Sequence, residues 1–212
     1  MISILIPIYN GIEFIKESVN SVLNQTYDNW EILIGINGHS ENSEVYQIAK
    51  QYENDKIRVF DFYTIQGKSN TLNEMIQHCK YDYVAILDVD DIWYPEKLSI
   101  QSNYLHYDVV GSQCIYFGEK GGYPFIPIGD ISQFNFFSVN PIINSSSIIR
   151  KELCYWNNCG VEDYDLWLTL RKQNKTFFNC KETLVKHRIY STSAFNSKEN
   201  YKCIPEILAK HS

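Results

Sequence analysis

Three aspartates stand within four positions in the segment YVAILDVDDIWYPEKL, which spans residues 83–98. Asp88, Asp90 and Asp91 directly follow an apolar run that is typical of a buried strand. Carboxylates this close together repel one another and raise one another's pKa unless a cation lies between them. Their oxygens suit a hard divalent ion, Mg²⁺ or Mn²⁺, which commonly keeps open positions for substrate phosphates.

A simpler alternative for part of this segment is helix capping. Asp90 or Asp91 can cap a helix that starts near Pro95, because Asp is favoured at the N-cap and Pro in the first turn. Capping explains one of the three carboxylates. It does not explain Asp88, which follows the apolar run directly, so we prefer the metal interpretation for the group.

A second acidic cluster occurs in CGVEDYDLWLTL, where Glu162, Asp163 and Asp165 stand at the start of a predicted helix. A carboxylate there can act as a general base that accepts a proton from a hydroxyl group. Carboxylates are also stabilised at helix starts by the helix dipole. Capping alone could explain one or two of the three carboxylates, and taken alone the segment favours capping.

A lysine next to a glycine is the third candidate. In QGKSNTLNEMI, Lys68 follows Gly67 at the start of a predicted helix, whose N-terminus can meet an anion. The glycine spacing of a phosphate-binding P-loop is missing. An ordinary surface lysine is therefore the alternative.

The elements that must position these residues alternate between strands and helices in the first half of the chain. Short apolar runs predict buried strands, and apolar residues at three- and four-residue steps predict helices. Strands are predicted at 2–6, 31–36, 56–62 and 83–87, and helices at 12–24, 45–52 and 72–79. This order predicts an α/β fold with a mostly parallel, doubly wound sheet, in which ligands bind beyond the carboxyl ends of the strands.

The second half of the chain is less regular. Strands are predicted at 109–117, 145–150, near 176–179 and at 184–190, and a helix at 162–173. Between the first two strands, residues 118–130 hold four glycines and two prolines, which predicts a loop or a mobile flap.

Composition limits the classes of function. The chain has 212 residues, 44% of them hydrophobic, and a net charge of −6, which predicts one globular domain without a field that attracts nucleic acid. It contains no apolar stretch of roughly 18 residues and no signal-peptide pattern, so we expect a soluble, cytoplasmic protein without a membrane span. The six cysteines lack the short spacing of a zinc or redox site and are expected to be free thiols.

Four of these segments occur in an order that resembles the inverting glycosyltransferases of family 2, which have the GT-A fold. ISILIPIYNGIEFIKESVNSVLNQTYDNWEILI is similar to the N-terminal signature of that family, and GKSNTLNEMI to its middle block. AILDVDDIWYPEKL is similar to its DxD block, and EDYDLWLTL to the block that carries the catalytic base. The resemblance covers residues 2–170.

The resemblance implies metal-assisted transfer of a sugar, with inversion, from a nucleotide-diphosphate donor to an acceptor hydroxyl. The expected donor is a UDP-sugar carrying a hexosyl or N-acetylhexosaminyl group, and the expected acceptor is a glycan, a lipid-linked sugar or a protein. Asp88 and Asp90 correspond to the DxD pair, and Asp90 and Asp91 to the residues that bind ribose and Mn²⁺ or Mg²⁺. Asp163 corresponds to the catalytic base, with Glu162 beside it.

The resemblance also implies a nucleotide pocket. Pro7, Tyr9 and Asn10 are expected to line it, and Lys68 to approach the diphosphate. Residues 1–92 would then form the donor half and residues 93–212 the acceptor half of a single domain. Aromatic residues are candidates either for stacking on sugar or for the hydrophobic core, namely Trp93, Tyr155 and Trp156.

The chain departs from the family pattern at two places. Ile36 and Asn37 stand where the family has paired aspartates, one of which reads uracil; Asn37 can still donate and accept hydrogen bonds there. In KHRIYSTSAF, Tyr190 stands at the position of a histidine that often helps to hold the metal. His187 lies three residues earlier and is either the replacement ligand or a structural histidine.

The sequence offers two alternatives to the transferase. Phosphatases of the haloacid dehalogenase type also have a DxD after a strand, but they ordinarily have Thr or Val where Asp91 stands here. The departures at Asn37 and Tyr190 motivate the other alternative, a sugar-nucleotide or glycan-binding module that has kept the fold without turnover.

Overall fold

The computed structural model describes residues 1–191 and 198–212, with side chains in the second range from residue 202 onward. Within these ranges the strands join one nine-stranded sheet. They are β1 (Ile2–Ile8), β2 (Trp30–Asn37), β3 (Ile57–Phe62), β4 (Tyr83–Ile86), β5 (Ile92–Trp93), β6 (Val109–Gly118), β7 (Gly129–Asp130), β8 (Ile148–Arg150) and β9 (Phe177–Ile189). Their order is β3-β2-β1-β4-β8-β6-β9-β5, with β7 beside β9.

Six α-helices pack around this sheet in the described ranges. They are α1 (Ile15–Leu23), α2 (Glu44–Lys50), α3 (Lys68–Gln77), α4 (Lys97–Gln101), α5 (Glu162–Lys172) and α6 (Lys198–His211). A 3₁₀ turn, Ile12–Phe14, precedes α1, so the helix predicted at 12–24 begins in a tighter form. The helices predicted at 45–52, 72–79 and 162–173 correspond to α2, α3 and α5.

The packing of strand β1 explains why the strands in the first half of the chain are continuous apolar runs. Ile4 and its even-numbered neighbours pack with α1, while Leu5 points to the opposite face and packs with Leu72 and Met75 of α3. A strand that is covered on both faces needs apolar residues at every position. The predicted α/β fold with a mostly parallel core is confirmed, because β1 pairs in parallel with both β2 and β4.

The carboxyl ends of the parallel strands lie at one edge of the sheet. Leu5 pairs with Ile86, and Pro7 pairs with Gly35, so the residues that follow β1, β2 and β4 lie side by side. A Cβ atom at Gly35 would lie 2.7 Å from the Met75 sulfur, so this glycine allows α3 to pack closely against β2. The start of α3 thus reaches the same edge.

The second half of the chain extends the same sheet. β8 pairs antiparallel with β4 and places the 3₁₀ turn Asn144–Ser146 beside the end of β4. The strand predicted at 145–150 is therefore shorter than expected and covers Ile148–Arg150. The two strands predicted at 176–179 and 184–190 were wrong as separate elements: they form the single strand β9, because β6 pairs along its whole length and register shifts at Gln113 absorb the extra residues.

The segment 118–130 is a loop, as expected, apart from the short strand β7. Its backbone is fixed at two points: Gln113 donates a hydrogen bond to the Ile126 carbonyl, and Asn179 donates one to the Pro127 carbonyl. Tyr123 and Phe125 are more than 70% exposed on it.

The helix α6 was not foreseen from the sequence. Pro205 lies inside it, and a proline within a helix removes a backbone donor and normally argues against a helix. Ile207 is buried in the same hydrophobic cluster as Leu166 and Leu170 of α5, so tertiary packing stabilises the helix.

Cys79, Cys114, Cys154, Cys159 and Cys180 are free thiols, as predicted. Among the described residues, no helix is both long enough and apolar enough to cross a membrane.

Candidate active site

A cavity of about 650 Å³ opens at the carboxyl edge of the sheet. Five residues that the sequence singled out line it, namely Lys68, Asp88, Glu162, Asp163 and His187. The end of β4, the start of α3, the start of α5 and the end of β9 each contribute to its wall. The two acidic clusters, more than 70 positions apart in the sequence, therefore share one cavity.

Asp88 follows β4 and is held by two side chains. Asn144 donates a hydrogen bond from Nδ2 to both carboxylate oxygens at 3.2 Å, and the Lys68 ammonium lies 2.7 Å from Oδ1. Burial raises the pKa of Asp88, but the Lys68 charge and these hydrogen bonds outweigh it and hold the pKa below its ordinary value. Asp88 is therefore an ionised carboxylate.

Lys68 joins the two acidic clusters. Its ammonium contacts Asp88 and also lies 3.4 Å from Oε1 of Glu162. Burial lowers the pKa of Lys68, whereas the two carboxylates raise it, and the net change is upward. The alternative of an ordinary surface lysine is wrong, because this side chain is a charged part of the cavity wall.

Asp91 is fully buried and has a partner for each oxygen. Oδ2 lies 3.0 Å from Nδ1 of His187, and Oδ1 accepts a hydrogen bond from the backbone N–H of Arg188. Burial lowers the pKa of His187, but the Asp91 charge dominates and raises it to about 9. Asp91 therefore orients the imidazole, which reaches the cavity.

Asp90 stands between Asp88 and Asp91 in the sequence and is not among the residues that line the cavity. Burial, followed by the negative charges of Asp91 and Asp88, raises its pKa to about 6. A hydrogen bond with Tyr190 acts in the opposite direction. Capping by Asp90 or Asp91 is wrong, because α4 begins at Lys97 and its N-cap is Glu96.

The residues present fit a divalent ion only if other ligands contribute. No group of three or more His, Cys, Asp or Glu side chains within the described ranges is arranged to hold a metal. Asp90 offers carboxylate oxygens, and His187 is oriented by a carboxylate in the manner of many metal-binding histidines. Two protein ligands are enough for Mg²⁺ or Mn²⁺, because these ions usually take their remaining ligands from phosphates and water.

Arg188 is a residue of the site that the sequence reasoning missed. Its Nε donates a hydrogen bond to the Asp90 carbonyl, and its guanidinium lies 4.3 Å from the ring centre of Phe14 and 4.4 Å from that of Phe117. Arg188 thereby fixes the turn that carries the aspartates. Its place beside His187 in KHRIYSTSAF was the available signal; the residues of that segment at 192–195 lie outside the described ranges.

Asp163 is the second residue of α5. Asn140 donates a hydrogen bond from Nδ2 to its Oδ2 at 3.1 Å. Burial, and then the charge of Glu162, raises the pKa of Asp163 to about 6. The N-cap position belongs to Val161, so helix capping does not account for Glu162 or Asp163.

Asp165 points away from the cavity wall and is fully buried. Its carboxylate contacts Lys210 at 2.8 Å, His211 at 2.8 Å and the Asn157 side chain at 2.7 Å. These contacts satisfy a buried charge and join α5 to α6.

The residues predicted for the nucleotide lie outside the lining of this cavity, at the ends of β1 and β2. Pro7 and Asn37 are buried, whereas Tyr9 and Asn10 are exposed. The Tyr9 ring lies 5.5 Å from that of His39. A Cβ at Gly11 would lie 3.1 Å from Val89, so the loop after β1 packs directly against the aspartate turn.

Two of the aromatic candidates for sugar stacking belong to the core. Trp93 and Trp156 are 3% and 1% exposed, and Trp93 donates a hydrogen bond from Nε1 to the Ser145 carbonyl. Stacking by these two residues is therefore wrong, since neither ring face is open. Tyr155 is 65% exposed and is not among the residues that line the cavity.

Comparison with known proteins gives a consistent family. Residues 3–138 match the model described as glycosyl transferase family 2. Over 88% of its length the chain is 30% identical to the putative glycosyltransferase EpsE of Bacillus subtilis (strain 168), of which it covers 72%. It is also 29% identical, over 95% of its length, to the uncharacterized glycosyltransferase RC0461 of Rickettsia conorii (strain ATCC VR-613 / Malish 7), but it spans only 36% of that protein.

The fold agrees with this relationship. The structure matches S. aureus TarS 1-349 in complex with UDP-GlcNAc with a TM-score of 0.78 and 17% sequence identity, covering 97% of this chain and 65% of that one. The match over residues 3–138, the relation to EpsE and the shared fold together establish that the chain belongs to glycosyl transferase family 2 and has the GT-A fold.

Proposed function

We propose that the chain transfers a hexosyl or N-acetylhexosaminyl group, with inversion, from a UDP-sugar to a hydroxyl of a glycan, lipid-linked or protein acceptor. The observation that carries this proposal is the shared cavity. Asp88 and His187, from the ends of β4 and β9, line it together with Asp163 from the start of α5, whose pKa is raised to about 6. An inverting displacement needs the leaving phosphate and the base on opposite sides of the sugar.

The donor would lie along the carboxyl edge of the sheet. Pro7, Tyr9, Asn10 and Asn37 would bind the nucleoside, and Lys68 and Asp88 would face the diphosphate and the sugar. The choice of uridine is supported by the UDP-GlcNAc bound to TarS, which shares the fold. Residues 1–92 would thus form the donor half and residues 93–212 the acceptor half.

Asp90 and His187 would hold Mn²⁺ or Mg²⁺, and Asp91 would orient His187. When bound, such an ion stabilises the negative charge that develops on the departing nucleoside diphosphate. In this assignment Asp91 supports a ligand, which differs from the direct role that the sequence suggested.

Asp163 would accept the proton of the attacking hydroxyl. A base that works near neutral pH is most effective when its pKa lies close to that pH, and burial beside Glu162 moves the Asp163 pKa in that direction. The hydrogen bond from Asn140 fixes the carboxylate at the cavity wall.

A binding module without turnover is the second candidate. It is favoured by Asn37 and Tyr190, which stand where the family has an aspartate and a histidine. The two functions are separated by incubating the protein with Mn²⁺ and UDP-, GDP- or dTDP-sugars, with and without acceptor sugars, and measuring released nucleotide. Release by the wild type but not by Asp163→Asn supports the transferase. Nucleotide binding, seen as a thermal shift, without any release supports the module.

A further inference from the structure

The helix α6 forms one wall of the cavity. Ile204 and Leu208 line it from one side of the helix, whereas Ile207 is 4% exposed and packs into the core below. The side chains of Glu206 and Lys202 are exposed on the same helix. α6 therefore offers apolar side chains to the space in front of the start of α5.

A buried carboxylate of α5 binds the C-terminal end of this helix. Asp165 contacts Lys210 and His211 near the end of α6. Burial raises the pKa of Asp165, but its hydrogen bonds with Lys210, His211 and Asn157 outweigh burial and lower it. A buried charge is tolerated only with such partners, so the Asp165 carboxylate depends on its contacts with Lys210, His211 and Asn157.

The contacts of Asp165 extend to the other side of the cavity. Asn157 binds Asp165 through its side chain, and its backbone carbonyl accepts a hydrogen bond from Ser69 at 3.0 Å. Ser69 follows Lys68 in the first turn of α3. Asp165 therefore links α6 both to the helix of the proposed base and to the helix that carries Lys68.

The cavity is most apolar on the side of the proposed base. Phe137, Val139 and Tyr164 line it together with Ile204 and Leu208. Phe137 is 45% exposed. Apolar surface of this kind favours a ligand group that is itself poorly hydrated.

We propose that Asp165 is a positioning residue for acceptor binding: it holds α6 so that Ile204 and Leu208 bind an apolar group attached to the acceptor sugar next to the reacting hydroxyl. This inference rests on the proposed function, because it assigns this side of the cavity to the acceptor. The proposal makes Leu208 a determinant of acceptor specificity. The group that it assigns to Leu208 is an apolar substituent of the acceptor sugar, not the apolar face of the sugar ring.

The first test compares octyl glycosides with methyl glycosides of the same sugars as acceptors, in the presence of Mn²⁺ and the donor that the protein cleaves. The wild type should show a KM at least about tenfold lower for the octyl compound, since burying even two methylene groups suffices for that ratio. Leu208→Asn should abolish this preference, by raising the KM for octyl glycosides to that for methyl glycosides. The matched control is Glu206→Gln on the exposed side of α6, which should behave as wild type.

Asp165→Asn tests the positioning role. It keeps the size of the side chain but removes the negative charge that pairs with Lys210, so it should raise the KM for octyl glycosides and leave UDP binding unchanged. Lys210→Met is a milder variant for use if Asp165→Asn does not fold, and it should shift the same KM in the same direction.

A binding measurement tests the same inference without requiring an acceptor sugar that the protein glycosylates. In saturation-transfer NMR with n-octyl β-D-glucoside and UDP-loaded protein, the octyl protons should receive saturation from the wild type and lose it in Leu208→Asn. Equal KM values for octyl and methyl acceptors, or octyl saturation that is unchanged in Leu208→Asn, would overturn this inference and leave the transferase function standing. Absence of donor cleavage in every variant, together with octyl binding that depends on Leu208, would overturn the proposed function instead.

Discussion

The ammonium of Lys68 lies 2.7 Å from a carboxylate oxygen of Asp88, within one cavity wall. The lysine begins α3 and the aspartate follows β4, so the contact joins the helix that packs on β2 to the strand beside β1. Its charge also reaches Glu162. The positive charge of Lys68 therefore interacts with both acidic clusters.

Lys68→Gln tests this interaction. Removing the charge should raise the pKa of Asp88, because burial then acts with less opposition, and it should weaken UDP binding by about tenfold or more, as expected for loss of a charge-assisted hydrogen bond. Isothermal titration calorimetry with UDP measures this change. Lys172→Gln, at an exposed position of α5, is the control and should bind UDP as wild type does. Unchanged affinity in Lys68→Gln would exclude Lys68 from the donor site.

Asp163→Asn should abolish transfer without loss of donor binding. The loss in kcat is expected to be about 10²–10⁴-fold, the usual contribution of a general base. The folded-state pKa of about 6 lies above the ordinary value of 3.8, so the free energy of unfolding falls as pH rises from about 4 to about 6. Asn does not ionise, so the Asn variant lacks this pH-dependent fall in the free energy of unfolding. Its Tm at pH 7.5 should equal or exceed that of the wild type. A clearly lower Tm would show that Asp163 has a structural role at the start of α5.

The pH dependence of kcat should report the same group. Transfer requires ionised Asp163, so the rate should rise with pH and level off above about 6. Glu162→Gln removes the adjacent negative charge and should shift this rise to lower pH. Glu41→Gln, at an exposed position, should leave the profile unchanged. A profile that Glu162→Gln does not move would argue against Asp163 as the base.

The proposed metal ligands can be tested through nucleotide affinity. UDP should bind the wild type more tightly with Mn²⁺ than with EDTA, and His187→Ala should remove most of that difference. Asp91→Asn should lower the affinity for Mn²⁺ by about 10–100-fold, the range measured for groups that orient metal-binding histidines. His106→Ala, at an exposed position, is the control. If His187→Ala responds to Mn²⁺ as the wild type does, His187 is not a ligand.

The sequence predicted those parts of the site that depend on local pattern. Buried parallel strands produce apolar runs, so the position of Asp88 after β4 followed from the residues alone. The cavity brings Lys68, Asp88 and Asp163 together, and the order of their segments along the chain had pointed to one family. That family and its fold are confirmed.

The partners of these residues depend on tertiary pairing and were beyond sequence reasoning. Asn144 binds Asp88 only because β8 pairs antiparallel with β4, across 56 positions of the chain. Trp93 and Trp156 stand near site residues in the sequence, yet their rings turn into the core. The helix α6 was not predicted from the sequence because Pro205 lowers the local helix propensity, and packing stabilises the helix despite that.

The separation between Asp91 and Arg188 has a consequence for folding. Their hydrogen bond joins positions 97 residues apart, whereas the parallel pairs among β1, β2 and β3 close much shorter loops. Loop-closure entropy delays the more distant contacts. We therefore expect the aspartate turn and the end of β9 to order after the parallel strands, and their amides to exchange hydrogen earlier. A bound donor would slow that exchange, so amide protection at residues 88–91 and 187–189 would report occupancy of the site even without turnover.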